Sequence, residues 1–332
     1  MSQAYDVTLT EEPIGGPLPS ESPQAGLSLR DAQAAKQYRS LWGNAWRQFR
    51  LHRLAMIGLI FLTFLTLACY VGALIYPRGI EPNMMATFIN PSAKYPFGTD
   101  PIGRDILACI LWGGRISLAV GLLAALVAIS LGTLIGATAG FLGGKTDGFL
   151  MRFTDLFICL PQLPLLLLIS FLYRDEMFMW ADKKFGNGNI GVFILIVFVI
   201  AILNWMSTAR LVRAEFLRLK EKEFVEAAKS IGAKEITLMM RHILPNVVSQ
   251  IIVAATLAVG AAIITESTLS FLGLGFPSDI PTWGRLLFEA KDYFQFYPYM
   301  ALFPGMVIFV TVLSINYIGD GLRDALDPRK TR

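Results

Sequence analysis

Two long uncharged stretches constrain this chain more than any other feature. Lys184 and Arg210 enclose 25 residues without Asp, Glu, Lys or Arg, and Arg241 and Glu266 enclose 24. Stretches of about 18 or more apolar residues are long enough to cross the hydrocarbon core of a bilayer. The segment between them, Glu223–Asn246, is an island of charge and is expected at a membrane surface. The whole composition agrees: 54% hydrophobic and 16% charged residues, where a soluble domain carries roughly 25% charged.

Six spans are expected, at about Leu54–Tyr76, Ile116–Phe141, Leu156–Tyr173, Ile190–Thr208, Val247–Leu272 and Met300–Ile318. The third contains Pro161 and Pro164, and proline tends to kink a spanning helix. Residues 1–40 are rich in Pro, Gly, Ser and acidic groups, lack an apolar period, and read as a disordered cytoplasmic tail. No secretory signal is expected there, because no basic segment leads into an apolar core. Residues 41–53 place Trp42, Ala45, Trp46 and Phe49 on one stripe and Arg47, Arg50, His52 and Arg53 beside it, the pattern of a helix lying in the membrane interface. Residues 77–115 form an extracytoplasmic segment. Residues 116–320 hold the remaining five spans and the island at 223–246, and residues 321–332 form a cytoplasmic tail. With both termini in the cytoplasm, 20 of the 29 Lys and Arg residues lie inside. That is the orientation the positive-inside rule selects.

The island reads as two short amphipathic helices. Phe224, Ala227, Ala228 and Ile231 recur at i, i+3, i+4 and i+7, and Ile236, Met239, Met240 and Ile243 repeat that spacing. Gly232 stands where a helix end accepts a residue at positive φ. Leu244-Pro245 is expected to end the second helix, since the residue before proline is pushed out of the helical region.

Catalytic patterns are sparse. Gly144-Lys145-Thr146 resembles the end of a phosphate-binding loop, but Ala139 stands where the pattern needs glycine and no strand precedes it. His52 and His242 lack metal-ligand spacing, and neither HExxH nor GxSxG occurs. Cys69, Cys109 and Cys159 are scattered and read as small buried hydrophobes. No cofactor and no metal is expected on this chain. Glu266 is the one acidic residue deep in a span, where a charge costs about 2.5–3.5 kcal/mol on insertion scales. It reads either as a wall or gate of a translocation path or as a hydrogen-bond partner between helices; Asn204 and Asn316 are weaker candidates of the same kind. In the extracytoplasmic segment, Thr99 or Asp100 is expected to cap a short helix beginning near Pro101. Arg104 is expected to pair with a carboxylate, and Asp105 belongs to the same motif. Arg210 and Arg213 read as interfacial anchors.

Five motifs converge. They are FGTDPIGRD (97–105), GGRISLAVG (113–121), the Glu226-Ala227-Ala228…Gly232…Pro245 loop, LSFLGLG (269–275) and GDGLRDALDPR (319–329). Together they resemble the C-type permease subunit of peptide/nickel ABC importers, closest to oligopeptide and dipeptide members. The resemblance covers about Leu41–Pro328. It implies an all-α polytopic fold of the type I importer class in a bacterial or archaeal cell membrane. It also implies a homologous B-type permease, two ATP-binding subunits and an extracytoplasmic solute-binding protein as partners. The cargo would be a peptide, and no nucleic-acid partner is expected. ATP and magnesium would reside on the partner ATPases, and this chain would be non-catalytic. Its coupling residues would be Phe224, Glu226, Ala227, Ala228, Ile231, Gly232 and Pro245. A nickel or other small-solute permease of the same family is the alternative, and a stand-alone secondary carrier is the rival from another class.

Overall fold

The computed structural model describes residues 41–326, and every regular element among them is helical. The expected tail at 1–40 and the chain beyond residue 326 lie outside the described residues. From Ala45 onward the described chain is one compact unit. Helix α1 is Leu41–Leu51. Helix α2, Arg53–Ile75, is the first span, followed by α3 at Ile106–Leu142. Helices α4 (Gly144–Cys159) and α5 (Gln162–Phe185) form a bent pair, as do α6 (Gly188–Ile202) and α7 (Met206–Lys220). Helix α8 is Glu223–Ser230, and α9 runs Glu235–Phe271. Short α10, Trp283–Ala290, leads to α11, Tyr299–Leu326. Four helices are each long and apolar enough to cross a membrane, and six crossings result if each bent pair counts as one.

The observed elements correct several expected boundaries. The second span begins ten residues early, at Ile106, because Asp105 Oδ1 caps the helix by accepting from the Leu107 and Ala108 amides. Arg115 is thereby carried into the helix. Its guanidinium donates to the Cys69 and Tyr70 carbonyls at 2.8 Å each, groups that lie in the π-helical turn Ala68–Gly72 of α2. The third span is not one helix: α4 and α5 meet at 84°. Leu160, ahead of Pro161, is extended at φ −73°, ψ 135°, as a residue before proline should be. The fourth bends by 45° at Leu203–Trp205.

Pro245 does not end a helix. It sits in the first turn of the α-helical stretch Leu244–Phe271. The preceding Leu238–Ile243 winds as a π-helix, so the chain passes the missing proline N–H without a break. The sixth span likewise continues to Leu326, absorbing the start of the expected tail.

Helix α3 packs most extensively on α7, and α9 lies between α3 and α11. The α3–α7 contact depends on Gly132, Gly136 and Gly140, one per turn. A Cβ added at Gly136 would stand 2.3 Å from the Ala209 carbonyl oxygen, and one at Gly140 2.7 Å from Phe216 Cβ. Small residues let two helix backbones approach closely in a membrane, where packing rather than water exclusion drives association.

Candidate functional site

The charged island emerges from this frame as a projecting corner. Four contacts fix the arm that carries it. Helix α7 lies on the glycine face of α3. The Arg213 guanidinium forks onto the Asp147 carboxylate, with Nη2–Oδ2 at 2.6 Å. Lys220 Nζ donates to the Phe141 carbonyl at 2.6 Å. Arg210 pairs with Asp155 at 2.5 Å, so both arginines join helices rather than serve only as interfacial anchors.

Helix α8 follows after Glu221 and Lys222. Its end is a Schellman motif. The Ala233 amide donates to the Ala228 carbonyl at 3.1 Å, the Gly232 amide to the Lys229 carbonyl at 3.0 Å, and Gly232 takes φ +86°. Val225 and Ala228 turn inward onto Phe216, Leu238, Ile243 and Val247. Phe224, Glu226, Ala227 and Ile231 turn outward, Ile231 being 87% exposed. The expected apolar docking face is therefore corrected at one position. Ala228 anchors the helix from behind, and the exposed set is Phe224, Ala227 and Ile231. Val225 was missed as the second anchor, although its i, i+3 spacing to Ala228 is legible. The second expected set also divides, with Ile243 buried and Ile236 and Met240 exposed. Pro245 is exposed. A cleft of about 580 Å³ beside α8 is lined by Phe141, Lys220, Glu226, Lys229 and Glu235.

Glu266 is fully buried and bonded between helices. Its carboxylate accepts from Ser270 Oγ at 2.8 Å and Ser117 Oγ at 3.1 Å. Ser117 in turn accepts from the Trp283 amide. The carboxylate thus ties α9 to α3 and, through Ser117, to α10. Asn204 stands at the α6–α7 bend and lines two cavities, of about 290 and 470 Å³. Asn316 is exposed on α11.

On the far side, the Asp100–Arg104–Asp105 motif shapes a loop rather than a helix at Pro101. Asp100 Oδ1 accepts from the Ile102 and Arg104 amides at 3.0 and 2.8 Å. Arg104 is paired as expected, with Asp100 at 2.5 Å and also with Glu289 of α10. Asp105, besides capping α3, accepts from the Tyr76 hydroxyl at 2.7 Å. Burial first, and the Asp105 carboxylate second, push the Tyr76 phenol above its usual range. Tyr299 donates from α11 to the Ile89 and Thr99 carbonyls at 3.2 Å each. Phe88, at φ +53°, stacks on Tyr297 with ring centres 4.5 Å apart. Contacts of this kind hold the segments 76–105 and 283–299 together.

These features define an all-α polytopic membrane protein with a loop projecting from its spanning helices. Residues 132–332 match the family described as binding-protein-dependent transport system inner membrane component, and residues 40–92 match the N-terminal TM domain of oligopeptide transport permease C. The chain is 38% identical over 308 residues to the glutathione transport system permease protein GsiD of Escherichia coli O6:K15:H31, covering 92% of this chain and 96% of that one. Identity and coverage are the same for the GsiD proteins of Shigella boydii serotype 4 and Shigella dysenteriae serotype 1. The chain belongs to the binding-protein-dependent transport permeases, as a C-type member of the peptide group, and its class is that of ABC importer membrane subunits.

Proposed function

We propose that this chain forms half of the translocation path of an ATP-driven peptide importer and receives the ATPase stroke through α8. The observation that carries this reading is the division of α8. Val225 and Ala228 weld it to the spanning helices, while Phe224, Ala227 and Ile231 present large and small apolar groups to the aqueous side. An apolar surface rimmed by Glu226 and Lys229 is suited to a groove on another protein. Its rigid attachment through α7 to α3 would turn a displacement of α8 into movement of spanning helices, a rigid-body switch between two states.

In this reading a homologous B-type permease completes the path, two ATPases holding ATP and magnesium lie in the cytoplasm, and a solute-binding protein delivers cargo from outside. The chain itself contributes no catalytic group. Peptide cargo is supported by the match to an oligopeptide permease domain and by relatives named for glutathione, itself a small peptide. Among the path candidates, Asn204 lines two cavities.

The test is co-purification from mild detergent through a C-terminal tag. A second permease and P-loop ATPases should accompany the chain. Gly232→Asp should leave it in the membrane but strip the ATPases and abolish uptake. Normal uptake by Gly232→Asp, or transport by the chain alone in reconstituted vesicles, would reject the reading.

A further inference from the structure

The two bends of the spanning helices lie side by side. The Leu160–Pro161 break and the Leu203–Trp205 break are joined by Gln162 Nε2, which donates to Asn204 Oδ1 at 3.3 Å. Phe157 and Trp205 meet across the same junction, with ring centres 6.0 Å apart. A cavity of about 470 Å³ opens there, lined among others by Phe157, Leu160, Gln162, Asn204, Ser207 and Arg210. Asn204 and Ser207 also line the neighbouring cavity, whose walls are largely alanines of α3 and α9.

The polar groups of this junction are incompletely used. Asn204 Nδ2 is committed to the Ile200 carbonyl at 2.7 Å, leaving Oδ1 with one long bond. Gln162 is exposed, and its Oε1 has no partner among the described residues; the exposed Ser207 hydroxyl has none either. At membrane depth, irregular backbone and open polar groups are tolerated only where protein or an aqueous cavity meets them. Arg210, which lines the cavity, is paired with Asp155 at 2.5 Å. The cavity therefore offers neutral donors and acceptors above an apolar floor of Phe157 and Leu160.

We propose that Gln162, Asn204 and Ser207 form a subsite for the main-chain amides of the passing cargo, an inference that rests on the peptide reading above. A primary amide carries the same donor and acceptor as a peptide bond. It can pair with any residue's backbone whatever the side chain. The Gln162–Asn204 bond is the resting partner that a cargo amide displaces. Subsites of this size, apolar with a few convergent polar groups, are typical of small-ligand pockets.

The test uses the assembled complex in proteoliposomes with its binding protein saturated by either trialanine or trialanine methylated at its backbone nitrogens. Wild type should carry trialanine about tenfold faster, the worth of one to two hydrogen bonds. Gln162→Leu should carry both at one rate while keeping its binding-protein-stimulated ATPase within about twofold; Gln162→Glu, of equal size, should lose part of the preference. In a Cys159→Ser background, Gln162→Cys should react with a water-soluble thiol reagent and be protected by trialanine. A preference that is absent in wild type or intact in both variants overturns the subsite, as does a Cys at 162 that water-soluble reagents never reach. Wild type that carries neither compound rejects the peptide reading itself, while ATP-driven uptake with an unaltered variant preference rejects only the subsite.

Discussion

Gly232 shows how much one backbone angle can carry. Nothing lies within 4 Å of a Cβ built on it, so sterics with neighbours do not demand glycine there. The demand comes from φ +86°, a conformation costing an ordinary L-residue about 1–2 kcal/mol and tolerated by Asn. Gly232→Ala is therefore expected to weaken coupled ATPase activity more than Gly232→Asn, with membrane insertion unchanged in both; equal loss would point to chain flexibility instead of the turn. Arg104 makes the opposite case, in which the side chain carries everything. It is buried between Asp100 and Glu289, and removing one partner of a buried pair leaves uncompensated charge at a cost of about 3–5 kcal/mol. Arg104→Ala should lower the thermal midpoint of the detergent-solubilised protein sharply. Arg104→Ala combined with Asp100→Asn and Glu289→Gln should recover part of the loss, because the stranded charges are then gone.

At the scale of the element, the α3–α7 clamp is a stack of glycines packed on backbone and Cβ atoms of α7. Gly136→Val would push against the Ala209 carbonyl oxygen. Overpacking of that kind costs about 1–3 kcal/mol or more and would splay the arm that holds α8. Lower thermal stability and uncoupled ATPase activity are expected together. Gly148→Ala, where nothing lies within 4 Å, should alter neither. The sequence was informative about such elements to unequal degrees. The apolar runs announced the spans, and the Glu226-Ala227-Ala228…Gly232 spacing announced α8 and its glycine. The bend at Leu160 was foreseeable from Pro161, though its 84° angle was not, because a preceding proline sets one residue's ψ and not the packing beyond it. The bend at Leu203–Trp205 has no proline or glycine to mark it. There Asn204 caps the Ile200 carbonyl with its own side chain, competing with the helix ladder. Likewise, Ala228 was assigned to the exposed face because periodicity gives a face but not which neighbour covers it. Only tertiary contacts, Val247 among them, turn it inward.

At the scale of the molecule, the number of crossings decides which surfaces meet which compartment, and the two bent pairs decide the number. If both cross, residues near 92 and 182 face outside and residue 229 faces the cytoplasm. If both are re-entrant, 229 keeps its side but 182 changes, since the chain then returns to the leaflet it left. The charge balance does not choose between them, since 20 of the 29 Lys and Arg residues lie inside with six crossings and 23 with four, where Arg174, Lys183 and Lys184 turn inward. Helix α5 favours the first arrangement. After its uncharged stretch from Gln162 to Tyr173 it carries Arg174, Asp175 and Glu176, and it ends in Trp180, Lys183, Lys184 and Phe185, with Lys184 over the Trp180 ring at 5.2 Å. Aromatic and basic side chains together are typical of a helix leaving the hydrocarbon core. Single cysteines at exposed Ser92, Asp182 and Lys229 in a Cys159→Ser chain provide the measurement, since Cys69 and Cys109 are buried. An impermeant maleimide on intact cells should label positions 92 and 182, and position 229 only after permeabilisation. Labelling of 182 only after permeabilisation would reduce the crossings to four and place the α5 end in the cytoplasm. Labelling of 229 from outside would invert the chain and remove α8 from the reach of any cytoplasmic ATPase.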